Sequence, residues 1–293
     1  MSTASEEPRV SIGMPVFNGE LSIENALDSL LGQTFLDFEL IISDNFSSDG
    51  TQEICEKYAK NDKRINYFRQ VENIGATANF KYVLEQASGE YFMWAAADDI
   101  RSPDFVEFNY SFLSDNNGYV ASTSPNKLEG DMSFAEFSLE GSTYQRFISF
   151  FNNCWVSHGI FYSLMRTDVI KQCEIIGNSF IAADWAIDLY LASQGRVNRT
   201  TNGYMISGVN GISNSANAYK AFRNKIIEIF FPFYMLTKYT LKLSSSFSYK
   251  EKIKLSIILL KLNIKAALYP LRGAIIKIHQ FIFTSKVNQK TEG

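Results

Sequence analysis

Cysteine is scarce in this chain, and what there is lies scattered. Cys55, Cys154 and Cys173 are the only three in 293 residues. Their spacing fits neither a zinc site nor a disulfide framework, so a reducing compartment is expected. Long uncharged apolar runs are also missing: none reaches the roughly 20 residues a bilayer-spanning helix needs. The first residues, Met1 to Pro8, hold two glutamates and no apolar core, and read as neither a signal peptide nor an anchor. No G-x-G-x-x-G occurs, which argues against a dinucleotide-binding Rossmann site, and no G-x-x-x-x-G-K-[ST], which excludes a P-loop.

What is present is apolar, aromatic and unevenly charged. Hydrophobic residues make up 46% of the chain and aromatics 14%, enough for the core of one large domain or two smaller ones. The net charge of −3 conceals an asymmetry. Residues 1–219 carry 14 Lys and Arg against 28 Asp and Glu, a net of −14, whereas residues 220–293 carry 14 against 3, a net of +11. An acidic body with a basic tail points to a polyanionic surface as a partner.

The body alternates strand and helix signals. Val10 to Val16 reads as a strand, Glu20 to Gln33 as a helix with Ile23, Leu27, Leu30 and Leu31 on one face, and Phe38 to Ser43 as a second strand. A helix from Thr51 to Ala59, a strand from Ile65 to Phe68 and a helix from Ala76 to Ala87 follow, and Ser88-Gly89 is the stop signal. A fourth strand starts after Gly89. Asp104 to Asp115 and Thr143 to Asn153 read as helices, Tyr119 to Ser124 and His158 to Leu164 as strands. This alternation predicts an α/β fold around a doubly wound, mostly parallel sheet.

The fourth strand ends in the acid pair Asp98-Asp99. Adjacent carboxylates raise each other's cost of ionisation, and a divalent cation would relieve it. The carboxyl ends of strands are also where open α/β sheets bind ligands. The alternative is that either acid simply caps the helix from Asp104. After strand two, Asp44 and Asn45 can bond a base edge or a ribose hydroxyl, or can serve ordinary turn chemistry. His158, one of two histidines, is a weaker site candidate than a structural one. A helix beginning near Asp184, with Trp185, Leu189 and Ala192 on one face and Gly195 as its stop, carries Asp184 at its start and Asp188 one turn on.

In order, Pro15-Val16-Phe17-Asn18, Gln33-Thr34, Phe38 to Asn45, Ser47-Ser48-Asp49-Gly50-Thr51, Asn73-Ile74-Gly75, Gly89-Glu90-Tyr91 and Ala97-Asp98-Asp99 resemble the N-terminal half of family 2 glycosyltransferases of the GT-A fold. The resemblance covers roughly residues 8–210. It implies transfer of a sugar from a nucleotide-diphosphate donor to an acceptor hydroxyl, with inversion and a divalent metal, Mg2+ or Mn2+. It places Pro15, Val16, Phe17, Asn18, Asp44, Asn45 and Asn73 around the nucleoside, Asp98 at the ribose and Asp99 at the metal. It makes Asp184 the catalytic base, ahead of Asp188. Two positions depart from the pattern. Asn45 stands where many members have a second acid, which still admits a UDP-sugar, and Ala96 stands where many have a further acid, which leaves the metal fewer protein ligands.

The Q-x-x-R-W motif of processive synthases is absent, which favours addition of one sugar to a glycan or lipid-linked acceptor in surface polysaccharide assembly. A sugar-1-phosphate nucleotidyltransferase is one alternative; it should show a Gly-rich loop with Lys or Arg where this chain has Pro15-Val16-Phe17-Asn18-Gly19. A non-catalytic nucleotide-sugar-binding protein of the same fold is another. Residues 8–219 are expected to form the catalytic domain. Residues 220–293 are expected to form a basic, amphipathic helical region that lies on an anionic membrane surface at the cytoplasmic face, or packs on the domain or a second copy. Nucleic acid is not an expected partner.

Overall fold

Val10–Val16 (β1) is buried at every position except Pro15, the pattern of a strand covered on both faces. Phe38–Asp44 (β2), Ile65–Arg69 (β3) and Tyr91–Trp94 (β4) join it in parallel, β2 and β4 on its two sides and β3 beyond β2. This computed structural model describes residues 7–130, 137–154, 158–208 and 227–288. The register pairs Val16 with Asp44, so the ends of β1 and β2 finish side by side.

Helices Ile23–Leu31 (α1), Thr51–Asn61 (α2) and Ala76–Gln86 (α3) cross between these strands. α1 starts later than its sequence suggests, because the residues ahead of it bond elsewhere: Gly19 N–H donates to Thr51 Oγ1 at 2.8 Å and Glu20 N–H to Asp49 Oδ2 at 3.1 Å. α1 buries Ile23, Ala26, Leu27 and Leu30. α3 lies tight on β1, and a β-carbon at Gly13 would stand 2.7 Å from Val83 Cγ2.

Ile100–Arg101 (β5) and Phe105–Asp115 (α4) follow β4, and Tyr119–Thr123 (β6), Asn126–Leu128 (β7) and Thr143–Asn153 (α5) come next. The segment expected as one strand over His158–Leu164 is instead a short helix, His158–Phe161 (α6), then Leu164–Arg166 (β8). Its aromatic residues are used for packing: Phe161 stacks on Trp94 at 4.8 Å and 5°, and Ser163 N–H and Oγ turn back onto Ile160 O. The side chain of His158 lies outside the described ones.

Thr167–Lys171 (α7), Ala183–Gln194 (α8), Arg196–Arg199 (β9) and Met205–Ser207 (β10) complete this part. Among the described residues, the main sheet runs β3-β2-β1-β4-β8-β6-β9, with β8 antiparallel to both neighbours. A small second sheet, β5-β10-β7, has no counterpart in the sequence expectations.

The chain divides into two compact units, Met1–Ser179 with Ala183–Ala218, and Phe180–Ala182 with Tyr219–Gly293. The second unit is helical: Ile227–Phe230 (α9), Tyr234–Leu243 (α10) and the long Tyr249–Asn288 (α11). Buried Asn263 on α11 joins them, accepting from Phe233 N–H at 2.9 Å and donating to Thr237 Oγ1 at 3.0 Å. Among the described residues, no helix is long and apolar enough to cross a membrane.

Candidate active site

The carboxyl ends of β1, β2 and β3 are tied into one edge by side chains. Asn45 N–H donates to Val16 O at 2.8 Å, extending the β1–β2 pairing by a residue past Pro15 and Val16. Asn18 takes φ 53, a conformation Asn tolerates, which lets its N–H reach Ser47 Oγ at 2.9 Å while its Oδ1 accepts from Ser48 N–H at 2.9 Å. Asp44 is fully buried, and both carboxylate oxygens are occupied. Oδ1 accepts from Ser47 N–H at 2.8 Å; Oδ2 takes Arg69 at 2.6 Å and the Tyr67 hydroxyl at 3.1 Å. Burial, then the charge of Asp44, push the Tyr67 phenol above its ordinary range. Asn45, also buried, donates to Asn73 Oδ1 at 3.0 Å and accepts from Ile74 N–H at 2.9 Å. Asn73 Oδ1 accepts in turn from Gly75 N–H, and Gly75 has φ 84, which favours glycine.

Between these ties stand two half-exposed phenylalanines, Phe17 and Phe46. Phe46 has φ 64, a left-handed conformation that costs a bulky residue roughly 1–2 kcal/mol.

Gln33 and Thr34 serve the frame. Gln33 donates to Ser102 O at 2.8 Å and accepts from Val106 N–H at 3.0 Å, while Thr34 N–H donates to Pro103 O at 2.8 Å. They fix the turn that follows the acid pair.

The pair itself splits into two environments. Asp98 is partly exposed; Asp99 is buried. Asp99 Oδ1 accepts from Gly208 N–H at 3.2 Å, and Oδ2 lies 3.9 Å from Arg101 Nη2 with no hydrogen-bond partner. Burial pushes the Asp99 carboxyl up to about 6; Arg101 opposes this and Asp98 adds to it. Arg101 is wholly buried, donates to Trp94 O at 3.0 Å and lies over Phe105. Burial lowers its guanidinium below the usual range, and Asp99 restores part of that. The small sheet makes this possible, since β5 carries Arg101 and its partner β10 leads into Gly208. Only glycine fits there, because a β-carbon would stand 2.6 Å from Asp98 O and collide with its carboxylate.

Asp184 lies in the first turn of α8, partly exposed, while Asp188 one turn later is buried. Tyr162 lies between α6 and β8. Burial first, then the charges of Asp99, Asp98 and Asp184, push its phenol well above the ordinary range, and Arg101 opposes them. The sequence had singled out neither Tyr162 nor Arg101. The buried, unbonded Oδ2 of Asp99 beside partly exposed Asp98 fits a hard cation completed by phosphate oxygens and water. Among the described residues no cluster of three His, Cys, Asp or Glu exists to hold one alone.

The chain has known relatives. The profile of Glycosyl transferase family 2 matches residues 11–172. The chain belongs to that family. The GalNAc(5)-diNAcBac-PP-undecaprenol beta-1,3-glucosyltransferase of Campylobacter jejuni is 39% identical over 93 residues, 31% of this chain and 30% of its own length. The chain spans less than half the length of the curated relatives it matches. Among solved structures, S. aureus TarS 1-349 in complex with UDP-GlcNAc has a TM-score of 0.58 at 19% identity, covering 89% of this chain and 79% of that one. The mannosyltransferase PcManGT from Pyrobaculum calidifontis, in complex with GDP-Man and Mn2+, has a TM-score of 0.52 at 15% identity, over 95% and 81%. These likenesses show the fold, which is GT-A with a helical C-terminal region.

Proposed function

We propose that the protein moves one sugar from a nucleotide-diphosphate donor, a UDP-sugar by preference, to an acceptor hydroxyl with inversion. The observation that carries this reading is buried Asp99, one carboxylate oxygen of which has no hydrogen-bond partner, beside partly exposed Asp98 just after β4 in a family 2 chain. Pro15, Val16, Phe17, Asn18 and Asn73 border the nucleoside, and Asp98 faces the ribose. Asp44 and Asn45, whose polar atoms hold the neighbouring loops, act on the nucleoside by shaping its pocket. Asp99 would be the protein ligand for Mg2+ or Mn2+, whose positive charge would offset the charge developing on the diphosphate leaving group. Asp184 takes the proton from the acceptor hydroxyl, which attacks the anomeric carbon from the face opposite the diphosphate in a single displacement. The loop Pro15 to Gly19 has no Lys or Arg to cradle a triphosphate, which disfavours a nucleotidyltransferase.

The acceptor we favour is a lipid-linked glycan of a surface polysaccharide, by analogy with the undecaprenol-linked substrate in the name of the Campylobacter relative. The setting that suits such an acceptor is the inner face of the plasma membrane, with the C-terminal region on anionic lipid. A panel of UDP-, GDP- and dTDP-sugars, assayed for release of the nucleoside diphosphate with and without MnCl2, tests the reading. Metal-stimulated release from at least one donor is expected; release from none of them, with acceptor glycolipid present, would return the protein to a binding role.

A further inference from the structure

The start of α8 is anchored on both sides along the chain. From Trp185 onward the helix packs into the first unit: Trp185 meets Phe150 edge-on at 6.2 Å and 80°, and Ala186, Ile187 and Leu189 are buried. The three residues ahead of it, Phe180 to Ala182, belong instead to the helical unit. Phe180 is 5% exposed, and its ring stacks on Tyr239 of α10 at 5.5 Å and 19°. α10 is in turn fixed to α11, where Asn263 donates to Thr237 Oγ1 at 3.0 Å, and it buries Leu236 and Thr240.

Ala182, the residue just before α8, takes φ 63. L-residues other than Asn and Asp rarely adopt this left-handed conformation, and alanine has no polar group to stabilise it. Such strain persists only where the surroundings impose it, and it gathers at functional sites. Relaxed to negative φ, Ala182 would change the direction in which the chain enters α8. Asp184 lies in the first turn of that helix, whereas Asp188 is buried one turn later. Helix ends fray before helix bodies shift, so a changed entry moves Asp184 first.

We propose that Tyr239 is a positioning residue for the catalytic base: by clamping Phe180 it holds the strained turn at Ala182 and so sets where the Asp184 carboxylate stands. The inference rests on the base reading above and names what the helical unit contributes to the reaction. It needs only the continuity of the chain from Ala182 through Ala183 to Asp184.

The test measures nucleoside diphosphate release from the sugar-nucleotide panel above, in MnCl2 with water as the acceptor. It compares full-length wild type with Tyr239→Ala, Tyr239→Phe, Asp184→Asn and the double variant Tyr239→Ala, Asp184→Asn. Calorimetry follows the affinity for the nucleoside diphosphate released. Tyr239→Ala is expected to lower kcat by about 10-fold or more, the scale of a slightly misplaced catalytic group, with nucleotide affinity unchanged. Tyr239→Phe keeps the ring and the wild-type kcat. In the Asp184→Asn background Tyr239→Ala slows release no further, because no base is left to misplace. Wild-type kcat in Tyr239→Ala overturns the inference. So does a loss of nucleotide affinity alongside the slower rate, or a second full loss of rate in the double variant. Wild-type kcat in Asp184→Asn overturns the base reading instead, and a wild type that releases nucleotide from no donor overturns the donor reading itself.

Discussion

At the scale of single residues, the acids of the site differ in what surrounds them, and their substitutions should differ accordingly. Asp184 is partly exposed in the first turn of α8, so Asp184→Asn keeps the helix start while removing the base. Transfer is expected to slow by about 100-fold or more, with UDP affinity unchanged. Single-turnover kinetics with acceptor glycolipid check this, and near-normal turnover would make Asp184 a structural cap. Asp99 is a harder position to probe, because it neutralises the buried guanidinium of Arg101 from 3.9 Å. Asp99→Ala strands that charge, at a cost on the order of 3 kcal/mol. It should lower the melting temperature as well as donor binding. Asp99→Asn retains an acceptor for Gly208 N–H and separates the two effects better. In it, MnCl2 should no longer tighten UDP binding measured by calorimetry; wild-type tightening would remove Asp99 from the metal site.

At the scale of elements, much of the first unit is written in local signals. β1 and α5 occupy the expected residues, and β2, α2, β3 and α3 differ only by a residue or two at an end, because burial pattern and end signals agree there. α5 also has a capping box: Ser142 Oγ accepts from Gln145 N–H at 3.3 Å, and Gln145 Oε1 accepts from Ser142 N–H at 2.8 Å. Ser142→Ala is expected to cost about 1 kcal/mol of stability in urea denaturation; no change in the midpoint would mean the helix end is held by its packing alone. What was not legible depends on contacts distant in sequence. β5 has two residues, too few to show any periodicity, and its identity comes from pairing with β10 about a hundred residues later. The same pairing places Gly208 on Asp99, so half of the acid pair's environment could not be read near Asp98-Asp99. Phe161 and Tyr162 look like strand residues because aromatics suit strands, yet Trp94 and Phe80 draw Phe161 into an aromatic cluster. Asp44 and Asn45 were legible as important, but their roles follow from Arg69, Tyr67, Asn73 and Ile74, none of which lies beside them in the chain.

At the scale of the whole molecule, the charge asymmetry becomes a property of a surface. α11 buries Leu255, Leu259, Leu262 and Ala266, and exposes Tyr249, Ile253, Ile257, Leu260, Ile264 and Leu268 on a different face. The exposed residues recur every three or four positions, so they form one stripe along the helix. Lys250, Lys254, Lys261 and Lys265 are exposed too, and their own spacing sets them in a row beside that stripe. An apolar stripe edged by lysines suits the boundary between lipid headgroups and acyl chains, where each basic residue adds about 1 kcal/mol of attraction to anionic lipid. A dimer interface would use the stripe but would gain nothing from a row of like charges. The full-length protein is therefore expected to co-sediment with phosphatidylglycerol vesicles at low salt and to be released as salt screens the lysines. Replacing the four lysines by glutamate should abolish sedimentation, and Ile257→Asp with Leu260→Asp should weaken it even at low salt. A wild-type protein that stays in the supernatant with these vesicles, or that sediments equally with phosphatidylcholine alone in high salt, would rule out this membrane surface. A dimer that dissociates in the Ile257→Asp, Leu260→Asp variant would then assign the stripe to a second copy of the chain.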